Sequence, residues 1–146
     1  MKTDNKYYTP EISEFHVGFE HEVNHKVRDG SGDREWCSEL YKGSSEQTRY
    51  IKYLLEEEPE NIRVKYLDKE DIESFGFTIK SDYGAGTTFH LNNSYSLQTH
   101  KHAGISYNEH EVRIFKSGII GKPCRIFTGD IKNKSELKKL LQQLGI

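Results

Sequence analysis

From Phe15 to Val27 the odd positions read Phe, Val, Phe, His, Val, His and Val, and the even positions His, Gly, Glu, Glu, Asn and Lys. Strict alternation over this length predicts a half-buried strand over about 15–27. The turn-rich stretch RDGSGD at 28–33 predicts a hairpin loop, and residues 34–42 its partner strand or an irregular edge anchored by Trp36. A helix is predicted from Ser44 or Ser45, because Ser44 and Gln47 have capping-box spacing and Tyr50, Ile51, Leu54 and Leu55 form one apolar stripe. Pro59 stops it. Ile62, Val64 and Tyr66 alternate as a short strand, and Asp68 caps a short helix through Ile72 and Phe75 that Gly76 closes.

The texture changes from Phe77. The segments FTIKS, TTFHL, SYSLQ, GISY, EVRIFK and PCRIFTG are short strand candidates separated by turn residues, which predicts an antiparallel meander. Asn133 to Glu136 reads as a capped helix start, and Leu137, Leu140, Leu141 and Leu144 make an amphipathic helix ending at Gly145. Such a stripe needs a sheet face to dock on. The pattern therefore predicts an α+β fold over 1–146 as a single domain: one twisted, mainly antiparallel sheet with two or three helices packed on one face. No internal repeat, low-complexity tract or linker divides it.

Composition adds limits. At 146 residues the chain suffices for one domain with a real core. Net charge is −2, with 21 basic and 23 acidic residues, so no global attraction to nucleic acid or anionic membrane is expected. Cys37 and Cys124 lack C-x-x-C spacing and read as reduced thiols. The segment MKTDNKYYTPEISEF has no apolar stretch, and no run of about 18 apolar residues follows. The expectation is a cytoplasmic protein without a membrane partner.

His21, Glu22 and His25 spell H-E-x-x-H, the zinc-hydrolase signature. That motif works on a helix, where both histidines share a face and the glutamate lies beside the metal-bound water. In the strand predicted here the histidines stand roughly 13 Å apart, too far for one zinc. A helical alternative at i+4 spacing (Phe15, Phe19, Val23, Val27) leaves Val17 on the wrong side. DYGAGTT at 82–88 is a hydroxyl-bearing glycine loop of the kind that can approach a phosphate, but it leads into a strand, which favours a hairpin turn. Gly121-Lys122 has Pro123 where a P-loop needs Ser or Thr. His90, His100, His102 and His110 cluster with Glu109 and Glu111 but match no established metal spacing. No G-x-S-x-G is present, and no motif implies a catalytic residue, a resident metal or a cofactor.

The polar, aromatic block 83–113 is the candidate ligand site. Tyr83, Thr87, His90, Asn92, Tyr95, His100, Lys101, His102 and Arg113 offer rings, amides and cations suited to a small nucleotide-like ligand. Arg113 is the better phosphate ligand, because Val112 and Ile114 should face the core and leave it on a rigid strand, whereas Lys101 falls in a turn. The competing expectation is a solvated hairpin face on which Arg113 pairs with a neighbouring carboxylate.

Three blocks, YYTPEISEFHVGFEHE, IRVKYLDKEDIESFGF and IKNKSELKKLLQQLGI, span the chain. In them it resembles short proteins of Bacteroidales and their bacteriophages. The resemblance carries no settled activity; it implies a bacterial-host cytoplasm and a small accessory role. In those relatives the first block usually reads F-H-V-G-F-E-Y-E, which makes His21 and His25 local variation. The leading expectation is a non-enzymatic protein that captures a nucleotide-like ligand, such as a phage protein sequestering a host signalling nucleotide. Two others stand beside it: an interaction module using an exposed sheet edge or the last helix, and a small zinc- or histidine-dependent hydrolase. Analogy with sheet-rich proteins that bind symmetric or phosphate-rich ligands adds a possible homodimer.

Overall fold

The hairpin expected at the start of the chain forms, but its first strand is shorter than the alternation suggests. In the computed structural model, which describes residues 6–83, 86–100, 110–118 and 120–146, the strands and helices numbered in chain order are as follows. The first unit begins with β1 (Tyr7–Tyr8), β2 (Glu20–Lys26), β3 (Arg34–Leu40), α1 (Ser45–Glu57) and β4 (Ile62–Lys65). Then come α2 (Lys69–Glu73), β5 (Thr78–Tyr83), β6 (Gly86–Leu91), β7 (Tyr95–His100), β8 (Glu111–Ser117), β9 (Pro123–Asp130) and α3 (Lys134–Leu144).

Residues before Glu20 alternate in sequence yet do not extend the strand. Gly18 takes φ +90°, a conformation open to glycine, and its N–H donates to Tyr41 O at 2.8 Å. Phe19 N–H turns back to His16 O at 2.8 Å, and Val17 is left 74% exposed. The turn thus breaks the expected 15–27 strand while Phe19 stays fully buried.

The α+β class is as expected; the single sheet is not. The strands form two antiparallel sheets, ordered β1-β4-β2-β3 and β5-β6-β7-β8-β9. β4 returns into the gap between β1 and β2, so neither of its sides can accept a further strand. The later strands are joined closely enough to pair with their sequence neighbours alone, as an open meander with β5 and β9 at its edges. Two compact units result, Met1–Tyr66 with Asn133–Ile146, and Leu67–Lys132. The second is a continuous insertion whose ends meet where Leu67 N–H donates to Lys132 O at 2.7 Å.

In the first unit α1 lays Ile51 and Leu54 against Val23 and Ile62, a fully buried cluster flanked by Phe15, Tyr41 and Leu55. Ser44 caps α1 by accepting from Gln47 N–H at 3.2 Å. α3 starts at Asn133, whose side chain accepts from Glu136 N–H at 2.9 Å and donates through Nδ2 to the Tyr8 hydroxyl at 2.9 Å. Leu137, Leu140 and Leu141 are buried, and Gly145 ends the helix in the left-handed region at φ +71°. The expectation of helices sharing one sheet must be corrected for α2, which belongs to the second unit. There Asp68 and Asp71 form a reciprocal capping box, and Phe89, Leu97 and Ile114 lie opposite one another across three strands in the core. Among the described residues no helix is long and apolar enough to cross a membrane.

Candidate functional site

β2 is a strand, so its side chains alternate and the H-E-x-x-H residues separate. His21, Val23 and His25 lie on the face that receives α1, and Glu22 lies on the other. There Glu22 Oε2 sits 2.6 Å from Arg63 Nε. The guanidinium of Arg63 is pressed flat between two rings, 3.8 Å from the centroid of Tyr7 and 3.8 Å from that of Trp36. This stack pins Trp36 to the sheet surface.

On the helix side one carboxylate lies beside both histidines. Glu39 is directly opposite His21 in the hairpin, and its Oε1 lies 2.6 Å from His25 Nε2 and its Oε2 3.6 Å from His21 Nε2. His21 is 2% exposed, with Nδ1 3.4 Å from Phe19 O and its ring edge-on to Phe15. Burial holds its pKa below the ordinary 6.5, outweighing the Phe19 carbonyl and Glu39, which act the other way. His25 stacks on Tyr50, 6.3 Å between centroids at 8°. Burial, and then the charge of Glu39, raises the Tyr50 phenol.

β3 is the outer strand of its sheet, and the polarity of its backbone follows from the register. Val27 N–H donates to Asp33 O and Tyr41 N–H to Phe19 O, with one-to-one pairing between. Odd-numbered residues of β3 therefore turn their N–H and C=O toward β2, and even-numbered ones turn theirs outward. At the end of the strand the Gln47 side chain imitates a neighbouring strand. Its Oε1 accepts from Lys42 N–H at 2.7 Å and its Nε2 donates to Leu40 O at 3.0 Å. The outward groups of Arg34, Trp36 and Ser38 have no partner among the described residues.

Two depressions flank this edge. A shallow groove of about 680 Å³ runs on the α1 side, lined by Glu39, Leu40, Lys42, Glu46, Gln47 and Tyr50. A cleft of about 370 Å³ includes Tyr7, Glu20, Glu22, Ser38, Leu40 and Lys65. Leu40, 51% exposed, borders both.

The other edges are guarded. β1 has two residues. β5 and β9 each carry one extra residue against their partners, at the Ile79/Ser81 and Ile114/Phe115 register shifts, and β9 opens with Pro123. Bulges and proline are the usual means of blunting an edge. β3 runs unbulged from Arg34 to Leu40 and contains no proline.

Among the described residues, those singled out within 83–113 are not brought together as one site. His90, His100 and Arg113 share one face of the second sheet, where Gln98 lies opposite Arg113. Thr87 and Tyr95 point to the other face; Thr87 is buried and donates to Asp82 Oδ1 at 2.9 Å, while Tyr95 lies under Lys116 Nζ at 5.9 Å. Asn92 forms the β6–β7 turn at φ +46°, its Oδ1 accepting from Ser94 N–H at 2.8 Å. Tyr83 is 75% exposed at the end of β5. Lys101 and His102 lie outside the described residues. Arg113 Nε is 2.6 Å from Glu111 Oε1, the carboxylate pairing foreseen as the competing expectation.

Sequence reasoning missed the open edge of β3, the sharing of Glu39 and the Arg63 stack. A hairpin signal was present in RDGSGD, but which of its strands ends up outermost depends on where β4 inserts. No protein-family model, no curated protein and no solved structure matches the chain.

Proposed function

We propose that this protein is a non-enzymatic interaction module that captures an extended polypeptide segment by adding it as a strand to β3. The observation behind the reading is the row of unpartnered outward N–H and C=O groups at Arg34, Trp36 and Ser38, on an unbulged edge beside an open groove. Main-chain hydrogen bonds supply affinity in this mode, and alternate side chains supply specificity. The host or phage setting implied by the sequence resemblance is compatible with such a partner. Of the two surfaces first considered for an interaction role, the C-terminal helix is the weaker, because Leu137, Leu140 and Leu141 are buried.

Selection of a displayed library of ten-residue segments on the protein, with counter-selection on Ser38→Pro, tests the reading. Proline at 38 removes an outward N–H that β2 does not use, so the hairpin should survive. Clones that bind the wild type and lose the variant are expected; a library yielding no such clone defeats strand addition. A second reading, capture of a nucleotide-like ligand on the second sheet, draws on the shared face of His90, His100 and Arg113. Calorimetric titration with mono-, di- and cyclic nucleotides, repeated on Arg113→Ala, decides it: heat lost in the variant supports capture, and flat titrations remove it.

A further inference from the structure

The two sides of the β3 edge differ in charge, and the difference selects among partners. Glu35, Cys37 and Glu39 point to the α1 side, where Glu46 also lines the groove. Arg34, Trp36, Ser38 and Leu40 point to the other side, with Trp36 held flat by Arg63. The α1 side of the edge therefore presents two carboxylates four residues apart, with Lys42 beyond them, and the opposite side presents Trp36 and Leu40 with Glu20 and Glu22 of β2 behind them.

A second copy of this chain fits that edge poorly. Antiparallel pairing that uses the open groups can centre on Trp36, Cys37 or Ser38. Centred on Cys37, it sets Glu35 against Glu39 of the other copy, twice over. Centred on Trp36, it sets Asp33 against Glu39, and centred on Ser38 it sets Arg34 against Lys42, whose N–H is already held by Gln47. Directly opposed like charges destabilise a strand pair in every case.

We infer that the captured segment is basic on one face: it carries Lys or Arg opposite Glu35 and Glu39, four residues apart, and apolar residues opposite Trp36 and Ser38 on the other face. This rests on strand addition at β3 and names the partner's chemistry. Incoming residues opposite Glu35 and Glu39 point to the acidic side by the pleat, and those opposite Trp36 and Ser38 point to the ring. Glu39 is already held by His25 at 2.6 Å, so its carboxylate is oriented before a cation arrives.

The test uses two labelled seven-residue probes read by fluorescence anisotropy. One is Ser-Lys-Val-Ser-Val-Lys-Ser with blocked ends, and the other has Glu in place of each Lys. The basic probe is expected to bind about tenfold more tightly, the worth of two cross-strand charge pairs, and to weaken as salt is raised. Glu35→Lys, at an exposed position, should shift the preference toward the acidic probe, and Ser38→Pro should abolish binding of both. Equal binding of the two probes, with loss in Ser38→Pro, overturns the basic partner and leaves strand addition standing. Binding of neither probe, or binding that Glu35→Lys leaves unchanged, also overturns it, and the library selection then decides strand addition by itself.

Discussion

At the scale of single residues, His21 and Arg63 show how the same hairpin uses one face for burial and the other for a fixed surface. His21 is neutral because burial penalises its charged form. The unfolded chain takes up a proton below about pH 6.5 that the folded chain refuses, so stability is whole above that value and falls as the pH drops through it. Urea midpoints measured between about pH 8 and pH 5 should decline toward acid for the wild type and less steeply for His21→Phe, which keeps a ring beside Phe15. Parallel slopes in the two proteins would show that His21 is not the group responsible. Arg63 gives an optical handle, since Trp36 is the chain's one tryptophan. Arg63→Lys loses the planar stack, so the emission of Trp36 should move to the red and become easier to quench, at a cost of about 0.5–1 kcal/mol. An unchanged spectrum would mean that the guanidinium does not hold the ring.

At the scale of elements, α3 was the most legible part of the chain. Its start, its leucine stripe and its terminating glycine all follow local rules that need no partner to be read: Asn133 caps, Leu137, Leu140 and Leu141 bury, and Gly145 takes a positive φ. Leu141→Ala should cost about 2–4 kcal/mol in chemical denaturation, and Asn133→Ala about 0.5–2 kcal/mol. A Leu141 loss under about 0.5 kcal/mol would place that side chain at the surface instead. The strand over 15–27 was the least legible, because a Gly18 turn and an exposed Val17 keep the alternation while breaking the ladder. β6 carries a constraint of the same kind. A Cβ on Gly86 would stand 2.5 Å from Thr99 O, a backbone atom that cannot swing aside. Gly86→Ala is therefore expected to destabilise by about 1–3 kcal/mol; a neutral result in a thermal melt would show that β6 and β7 can separate there at no cost.

At the scale of the whole chain, the α+β class was determined by the sequence alone, through the order of alternating and 3.6-periodic stretches. Helix caps and apolar faces were too, since each depends on residues within one turn or one strand of each other. The division into two sheets was not, because it hinges on β4 entering between β1 and β2, a pairing of positions some forty apart (Glu22 with Arg63). The candidate site shared that fate. Block 83–113 has the composition of a ligand surface, yet the pleat sends His90, His100 and Arg113 to one face and Thr87 and Tyr95 to the other. The β3 edge, in contrast, has no composition to betray it. Its unpartnered N–H and C=O groups belong to the backbone that every residue carries, so only the tertiary arrangement decides which of them are left without a neighbouring strand.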